Sequence, residues 1–132
     1  MYYGGGVVAR LTVKPNATVN NSPVLLHLDA GAVACSTTNA GQTIFMTVGQ
    51  HVDLTMDDPV WTVSVDASII LIRVYEGSVK IITNVDGVTK GSVTVGALQA
   101  VEVDDSTGAI VNLPFAKGNS GVEQSAVDAV RR

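Results

Sequence analysis

Apolar and polar residues alternate along most of this chain, which is the pattern of β-strands with one buried face. The alternation is clearest over residues 7–13, 24–28, 52–56 and 70–74. About nine or ten short strands are predicted, with turn signals at the spacing of roughly 8–12 residues that is typical of sandwiches and barrels. The pattern therefore predicts an all-β fold, namely an antiparallel β-sandwich or jelly roll.

The apolar positions of these strands define a predicted core, and clusters of Gly, Pro, Asn and Asp define the predicted turns. The core prediction comprises Leu26, Leu54, Trp61, Val63, Ile72, Val79, Ile81 and Val101. Turns are predicted at residues 15–16, 20–23, 39–41, 57–59, 84–87 and 104–108. This division predicts an arm with the first strand over residues 1–15, a β-sandwich domain over 16–115 and a tail over 116–132.

The N-terminal segment "MYYGGG" joins two tyrosines to three glycines. Tyrosine rings are apolar with a polar tip, and glycine gives the backbone reach, so the segment suits an arm that anchors on a neighbouring surface. The strand behind it could then pair with the sheet edge of a neighbouring subunit. The predicted partner-binding residues of this arm are Tyr2, Tyr3, Val7, Ala9, Leu11 and Val13. The alternative for the same residues is a terminus without fixed structure.

The C-terminal segment abandons the alternation and predicts a short helix. Ser120 and Glu123 have the spacing of a capping box, and Val122, Ala126 and Val130 recur at helical spacing. A helix this short is not stable alone, so it needs a partner surface on this chain or on another. Val122 and Val130 are therefore added to the predicted partner-binding residues.

Composition and charge argue against two kinds of partner. The net charge is −4, and the 8 Lys and Arg residues form no cluster beyond the final pair. Nucleic-acid binding requires clustered cations, so nucleic acid is not predicted as a partner. No apolar run approaches the length of a membrane-spanning helix, and the N-terminus lacks the basic-then-apolar order of a signal peptide. We therefore expect a soluble protein made in the cytoplasm.

Two segments resemble each other, "TVGQHVDLTMDD" at residues 47–58 and "TVGALQAVEVDD" at residues 94–105. Both predict a strand, a break at glycine, a second strand and an acidic turn. The alternative is a Ca²⁺ site or a catalytic carboxylate pair formed by Asp57, Asp58, Asp104 and Asp105. Ca²⁺ loops alternate their oxygen ligands with other residues, and neither segment has that spacing. The repeat is therefore predicted to be architectural.

Candidate catalytic or metal-binding residues are few. The chain has 2 histidines, His27 and His51, which is too few for a typical catalytic zinc site. His51 and Asp53 could form a weak two-ligand site, but both histidines are predicted to face solvent from half-buried strands. Cys35 lacks the surrounding signature of a catalytic nucleophile and is predicted to be a small buried hydrophobe. The sequence predicts no enzyme, no metal and no cofactor.

Residues 61–110 resemble the C-terminal part of FecR-type domains. The resemblance rests on a "V-x-x-G-x-V-x-V" strand followed by a glycine-containing strand and an acidic or glycine turn. The matching residues are Val74, Gly77, Val79 and Ile81 in the first pattern and Val95, Gly96, Val101 and Val103 in the second. This resemblance implies a β module of the bacterial envelope or a ligand-binding β module.

In overall format the chain also resembles the small capsid decoration (cement) proteins of phages. Those are compact β-sandwich or jelly-roll modules with an extended N-terminal arm, commonly trimeric on the capsid exterior. The resemblance implies a non-enzymatic virion protein, made in the host cytoplasm, that forms a homotrimer and binds the major capsid protein. A weakly charged β domain has apolar strand faces that such an oligomer would cover. This is the leading hypothesis, the FecR-like module is its alternative, and an enzyme with an unrecognised site is the third.

Overall fold

The computed structural model describes residues 8–13, 24–36, 43–115 and 121–130 of the chain. These residues form eight β-strands and one α-helix. The elements are β1 (Val8–Val13), β2 (Val24–Ser36), β3 (Thr43–Val48), β4 (Val52–Asp66), β5 (Ile69–Val85), β6 (Val88–Gly96), β7 (Gln99–Asp104), β8 (Ile110–Leu113) and α1 (Gly121–Val130). The predictions of an all-β fold and of a short C-terminal helix are confirmed.

The strands form one continuous sheet in the order β1-β2-β3-β4-β5-β7-β8, with β6 also paired to β5. Three long strands change partners along their length. Residues 52–57 of β4 pair with β3, whereas residues 60–65 pair with β2. Residues 69–74 of β5 pair with β7, whereas residues 78–85 pair with β6. The sheet is therefore divided into two half-sheets that share β2, β4 and β5.

The first half-sheet contains β1, β3 and β6 with the neighbouring parts of the shared strands, and the second contains β7 and β8 with the remaining parts. β4 passes between them through an irregularity between Asp57 and Val60. β5 crosses from one half-sheet to the other at Gly77, whose φ of 76° is a conformation that glycine adopts at little energetic cost. The same bend in two neighbouring strands lets both half-sheets contribute to one core.

The main hydrophobic cluster draws on both half-sheets. It includes Met46, Val48, Leu54, Met56, Val79 and Ile81 from the first, and Val33, Trp61, Val63, Ile72, Val74 and Val101 from the second. Seven of the eight predicted core residues are at most 1% exposed, namely Leu54, Trp61, Val63, Ile72, Val79, Ile81 and Val101. The prediction is confirmed for these seven, and the side chain of Leu26 lies outside the described residues.

One predicted turn is wrong. Residues 57–59 lie inside β4, which continues through them with a register shift. Asp and Pro are common in turns, but proline is also tolerated where a strand is irregular, because no ladder hydrogen bond is required there. The turns at residues 86–87 and 105–107 are confirmed. The turn predictions at 15–16, 20–23 and 39–41 fall outside the described residues.

One strand pair departs from the expected antiparallel arrangement. β2 and β3 are parallel, with Val24 beside Ile44 and Leu28 beside Val48. All other described pairs are antiparallel. Parallel partners need a crossover rather than a hairpin, and alternation along the sequence does not reveal a strand's direction relative to its neighbour.

β1 pairs with β2 of the same chain, from Ala9 beside Leu28 to Val13 beside Val24. The strand that was expected to pair with the sheet edge of a neighbouring subunit thus pairs with a strand of its own chain. The reason lies in β2: over residues 24–28 it uses one edge for β3, which leaves the other edge open to β1.

α1 packs on the outer face of the second half-sheet and buries a separate, smaller cluster. The cluster consists of Ala34, Val60, Tyr75, Ala126 and Val127, with Phe115 and Val130 packed against it. α1 thus covers the part of this outer face that β2, β4 and β5 form. Among the described residues, no helix has the length and apolar character needed to cross a membrane.

Candidate functional site

A groove of about 420 Å³ lies beside the turn that joins β6 to β7, two strands that pair with successive parts of β5. β6 follows the first half-sheet and β7 the second, so the strands diverge on either side of the bend at Gly77. The groove is lined by Val93, Thr94, Val95, Leu98, Gln99, Ala100, Val101, Asn112 and Leu113. It is thus built from β6, the turn that follows it, and the two strands β7 and β8.

The groove has an apolar floor and a polar rim. Val95, Ala100 and Val101 are buried at its floor, and the first and last of these also belong to the main core. Thr94, Gln99 and Asn112 are exposed at its sides. None of the nine lining residues is charged. A neutral occupant with apolar groups and a few hydrogen-bonding groups fits such a lining.

The turn at the mouth of the groove is held in a costly conformation. Leu98 has a φ of 61° although it is not glycine, a conformation that costs an L-residue about 1–2 kcal/mol. Its amide N–H donates to the carbonyl of Val74 at 2.8 Å. In the same turn the amide of Gly96 donates to Oε1 of Gln99, also at 2.8 Å. The side chain of Leu98 is left 65% exposed, and strain of this kind is concentrated at functional sites.

The second acidic turn of the repeat contains two aspartates with different roles. Oδ1 of Asp104 accepts from the hydroxyl of Ser106 at 2.6 Å and from its amide at 2.9 Å, which lowers the pKa of Asp104. The predicted turn role of Asp104 is confirmed. Asp105 instead reaches the turn between β3 and β4: its carboxylate accepts from the amides of Gln50 at 3.0 Å and His51 at 2.9 Å. Asp105 thereby links the first half-sheet to the second.

His51 does not act with Asp53, contrary to the two-ligand alternative. His51 lies in the turn before β4, and its Nδ1 donates to the main-chain oxygen of Asp105. Asp53 accepts a weak hydrogen bond from Asn84 at 3.4 Å. That alternative assumed that the strand begins before His51, whereas β4 begins at Val52.

His27 is half-buried rather than fully exposed. Its ring bridges two neighbours, the hydroxyl of Thr47 on β3 and the carboxylate of Asp29 on its own strand. The three side chains form a polar row on the outer face of the first half-sheet. Among the residues with described side chains, no three potential metal ligands come together.

Cys35 packs against the main core but is only partly buried, whereas the sequence predicted a buried residue. Burial raises the pKa of the Cys35 thiol from 9.0 to about 11. Because the thiolate is the nucleophilic form, the raised pKa lowers the reactivity of Cys35 near neutral pH.

A buried polar network beneath α1 was not predicted from the sequence. Arg73 on β5 is 1% exposed, and its Nη1 donates to Oε1 of Glu123 on α1 at 2.6 Å. Its Nε donates to the carbonyl of Phe115 at 2.8 Å. The hydroxyl of Tyr75 donates to the other carboxylate oxygen of Glu123. The available signal was a charged residue inside the apolar run "IILIRVY", which implies a buried partner.

The described residues of the predicted partner-binding set lie on two different elements, β1 and α1. Tyr2, Tyr3 and Val7 lie outside the described residues, and Ala9, Leu11 and Val13 lie in β1. On α1, Val130 packs against the smaller cluster, but Val122 is 60% exposed. The side of α1 that faces the protein contains Glu123, Ala126 and Val127. Because Glu123 faces Arg73, the helix is rotated relative to the face that was predicted from the spacing of its apolar residues. Whether these residues bind a partner stays a prediction.

Comparison with known proteins gives no family model and no curated protein that matches the chain. Solved structures do match. One is the 1.65 Å crystal structure of a proposed anti-sigma factor from Parabacteroides distasonis ATCC 8503, with a TM-score of 0.55 and 10% identity over 82% of this chain and 48% of that one. A 2.50 Å structure of a proposed anti-sigma factor from the same organism has a TM-score of 0.52 and 12% identity over 83% of this chain and 51% of that one. The chain shares their fold over about half of their length.

Proposed function

We propose that the chain is a non-catalytic recognition module of FecR type, which binds another protein in an envelope or regulatory assembly. The observation that carries this proposal is the fold likeness to proposed anti-sigma factors over 82% of the chain. As part of the proposal, the two half-sheets close on each other as a sandwich. Fold alone does not determine function, so the residues of the motif must support the same conclusion.

The FecR-like residues have structural roles that agree with the proposal. Gly77 lies at the bend of β5, and Val74, Val79 and Ile81 on either side of it are fully buried. In the second pattern, Val95 and Val101 form part of the floor of the groove. The motif therefore marks both the bend that creates the groove and the floor of the groove.

The chemistry of the described side chains also favours recognition over catalysis. The raised pKa of Cys35 keeps its thiol protonated near neutral pH. His27 and His51 use their ring nitrogens in contacts with neighbouring residues. The exposed apolar side chains, in contrast, include Val88, Leu98 and Val111, which are residues that a protein partner would cover.

Site-specific photo-crosslinking in the native host tests the proposal. A photoreactive residue is placed singly at Val88, Leu98, Val111 and Val122, four exposed positions on different elements. We expect at least one position to give a discrete adduct that mass spectrometry identifies as an envelope or regulatory protein. Absence of an adduct from all four positions, with the variants folded, would contradict the proposal.

Capsid decoration is retained as a second candidate because of the free sheet edges. Among the described strands, β1 pairs only with β2 and β8 only with β7, so each exposes one edge that a neighbouring subunit could use. This candidate requires a homotrimer in light scattering and binding to shells of the major capsid protein. An adduct with a major capsid protein in the crosslinking experiment would favour it over the FecR-like module.

A further inference from the structure

The groove between β6 and β7–β8 lies along a strand edge rather than a strand face. Val93, Thr94 and Val95 are consecutive, and all three line the groove. Successive side chains of a strand point to opposite faces, so three consecutive residues border a space only when it follows the edge of the backbone. Among the described strands, β6 pairs only with β5, so its other edge has no partner strand.

We propose that this groove is a binding site for an extended, uncharged peptide segment of a partner protein, which adds to the sheet along the free edge of β6. The inference rests on the proposed function and names the class of ligand for that recognition module. Main-chain hydrogen bonds to β6 supply the alignment, and alternate side chains of the peptide enter the groove. The apolar floor of Val95, Ala100 and Val101 accepts those side chains.

Charge defines the occupant further. The chain has a net charge of −4, but the charged residues of β6 and β7 nearest in sequence to the lining, Lys90 and Glu102, do not line the groove. The nine lining residues themselves are neutral. A charged side chain in the groove would lose hydration without gaining a counter-charge, which makes charged peptides poor occupants. Thr94, Gln99 and Asn112 can hydrogen-bond a neutral segment at the rim.

The strained turn at the mouth supports the same assignment. Leu98 is held at a φ of 61° by the hydrogen bond to Val74, and its side chain is 65% exposed. A bound segment would cover this side chain and offset the cost of exposing it. The strained backbone thus holds the apolar side chain of Leu98 in position for the ligand before binding.

The test uses an acetylated and amidated peptide of alternating threonine and valine, about six residues long, which spans a groove of this kind. Binding to the full chain is followed by fluorescence anisotropy and by the NMR shifts of the β6 amides. We expect Thr94→Glu, which places a charge in the groove, to weaken binding by about tenfold or more. The matched control is Ser92→Glu, on the same strand but outside the lining, and it should change binding by less than about twofold.

Backbone methylation of the peptide separates strand addition from simple apolar contact. Strand addition uses one edge of the peptide, so N-methyl groups on one set of alternate residues should abolish binding, and those on the other set should leave it unchanged. Equal effects of the two methylated peptides, equal effects of the two glutamate variants, or no binding of the unmodified peptide would each overturn the proposal.

The two proposals can fail separately. A partner crosslinked from Val88, Val111 or Val122, together with no peptide binding, leaves the recognition module intact and removes the groove as its site. Failure of all crosslinks with peptide binding retained removes the envelope or regulatory assignment instead.

Discussion

Trp61 is the largest fully buried side chain, and its indole Nε1 finds no hydrogen-bond partner among the described residues. Its ring supplies packing, whereas its buried N–H is unfavourable without an acceptor. We expect Trp61→Ala to lower the free energy of unfolding by about 3–5 kcal/mol. Trp61→Phe should cost less than about 2 kcal/mol, because it keeps an aromatic ring and removes the unpaired donor. Urea denaturation measures both, and equal losses would contradict this view of the indole.

Cys35 gives the stability a dependence on alkaline pH. Burial raises its pKa to about 11 in the folded chain, compared with 9.0 as the ordinary value. The folded state therefore holds the thiol proton more tightly than the unfolded state. This stabilisation is fully present below pH 9 and is lost as the pH rises from 9.0 to about 11.

We predict that the native chain and the Cys35→Ala variant differ in how their free energies of unfolding change over that pH interval. The free energy of unfolding of the native chain should fall more steeply above pH 9 than that of Cys35→Ala, which has no thiol to titrate. The native thiol should also react slowly with iodoacetamide at pH 8 and rapidly in denaturant. Fast alkylation of the folded chain would contradict the raised pKa of this thiol.

Alanine substitutions at Gly49 and Gly87 separate the cost of backbone strain from the cost of a steric clash. Both have positive φ, of 59° and 76°. A Cβ at Gly49 would lie 2.4 Å from Oδ2 of Asp105, whereas a Cβ at Gly87 would meet nothing within 4 Å. Gly87→Ala should therefore cost only the conformational term of about 1–2 kcal/mol. Gly49→Ala should cost more, because it also displaces the carboxylate that links the two turns, and equal midpoints in urea would contradict that role of Asp105.

At the scale of elements, α1 is attached by polar contacts that stabilise it only when complete. Arg73 is buried against Glu123, so Glu123→Ala leaves a buried charge without its partner, at a cost of about 3–5 kcal/mol. The double variant Arg73→Met with Glu123→Ala should recover part of this loss, since no buried charge remains. Val122→Ser, on the exposed side of α1, is the control and should change stability by less than about 0.5 kcal/mol. A single Glu123→Ala variant as stable as the control would contradict the buried network.

The sequence predicted the strands better than their ends or their partners. Alternation identified the buried positions of β4 and β5, because a side chain's face depends only on its own strand. It did not reveal that β4 continues through residues 57–59, since aspartate and proline occur both in turns and in strand irregularities. On α1 the predicted Ala126 and Val130 do face the protein but Val122 does not, and the sequence did not show that Glu123 replaces it, because its partner Arg73 lies on a distant strand.

At the scale of the whole molecule, the bends determine where a binding site can form. Gly77 in β5 and the irregularity in β4 lie where both strands change partners, and the groove opens where β6 and β7 follow different half-sheets. The FecR-like pattern placed a glycine at this bend, but the groove itself depends on pairings between residues far apart in the sequence. Spacing along one chain contains no direct record of those pairings, so the groove could not be predicted.

The shared strands also predict how the molecule unfolds. β2, β4 and β5 each run through both half-sheets, and the main core contains residues of both, so we expect the two half-sheets to lose their packing together. Met56→Ala removes a buried side chain of the first half-sheet and should cost about 2–5 kcal/mol. The fluorescence of Trp61, in the second half-sheet, should then shift its urea midpoint together with the far-UV circular dichroism, with the slope of the transition unchanged. If the Trp61 transition stays at its original urea midpoint while the dichroism transition shifts, the two half-sheets unfold separately. The bent strands would then only connect the half-sheets and would not couple their unfolding.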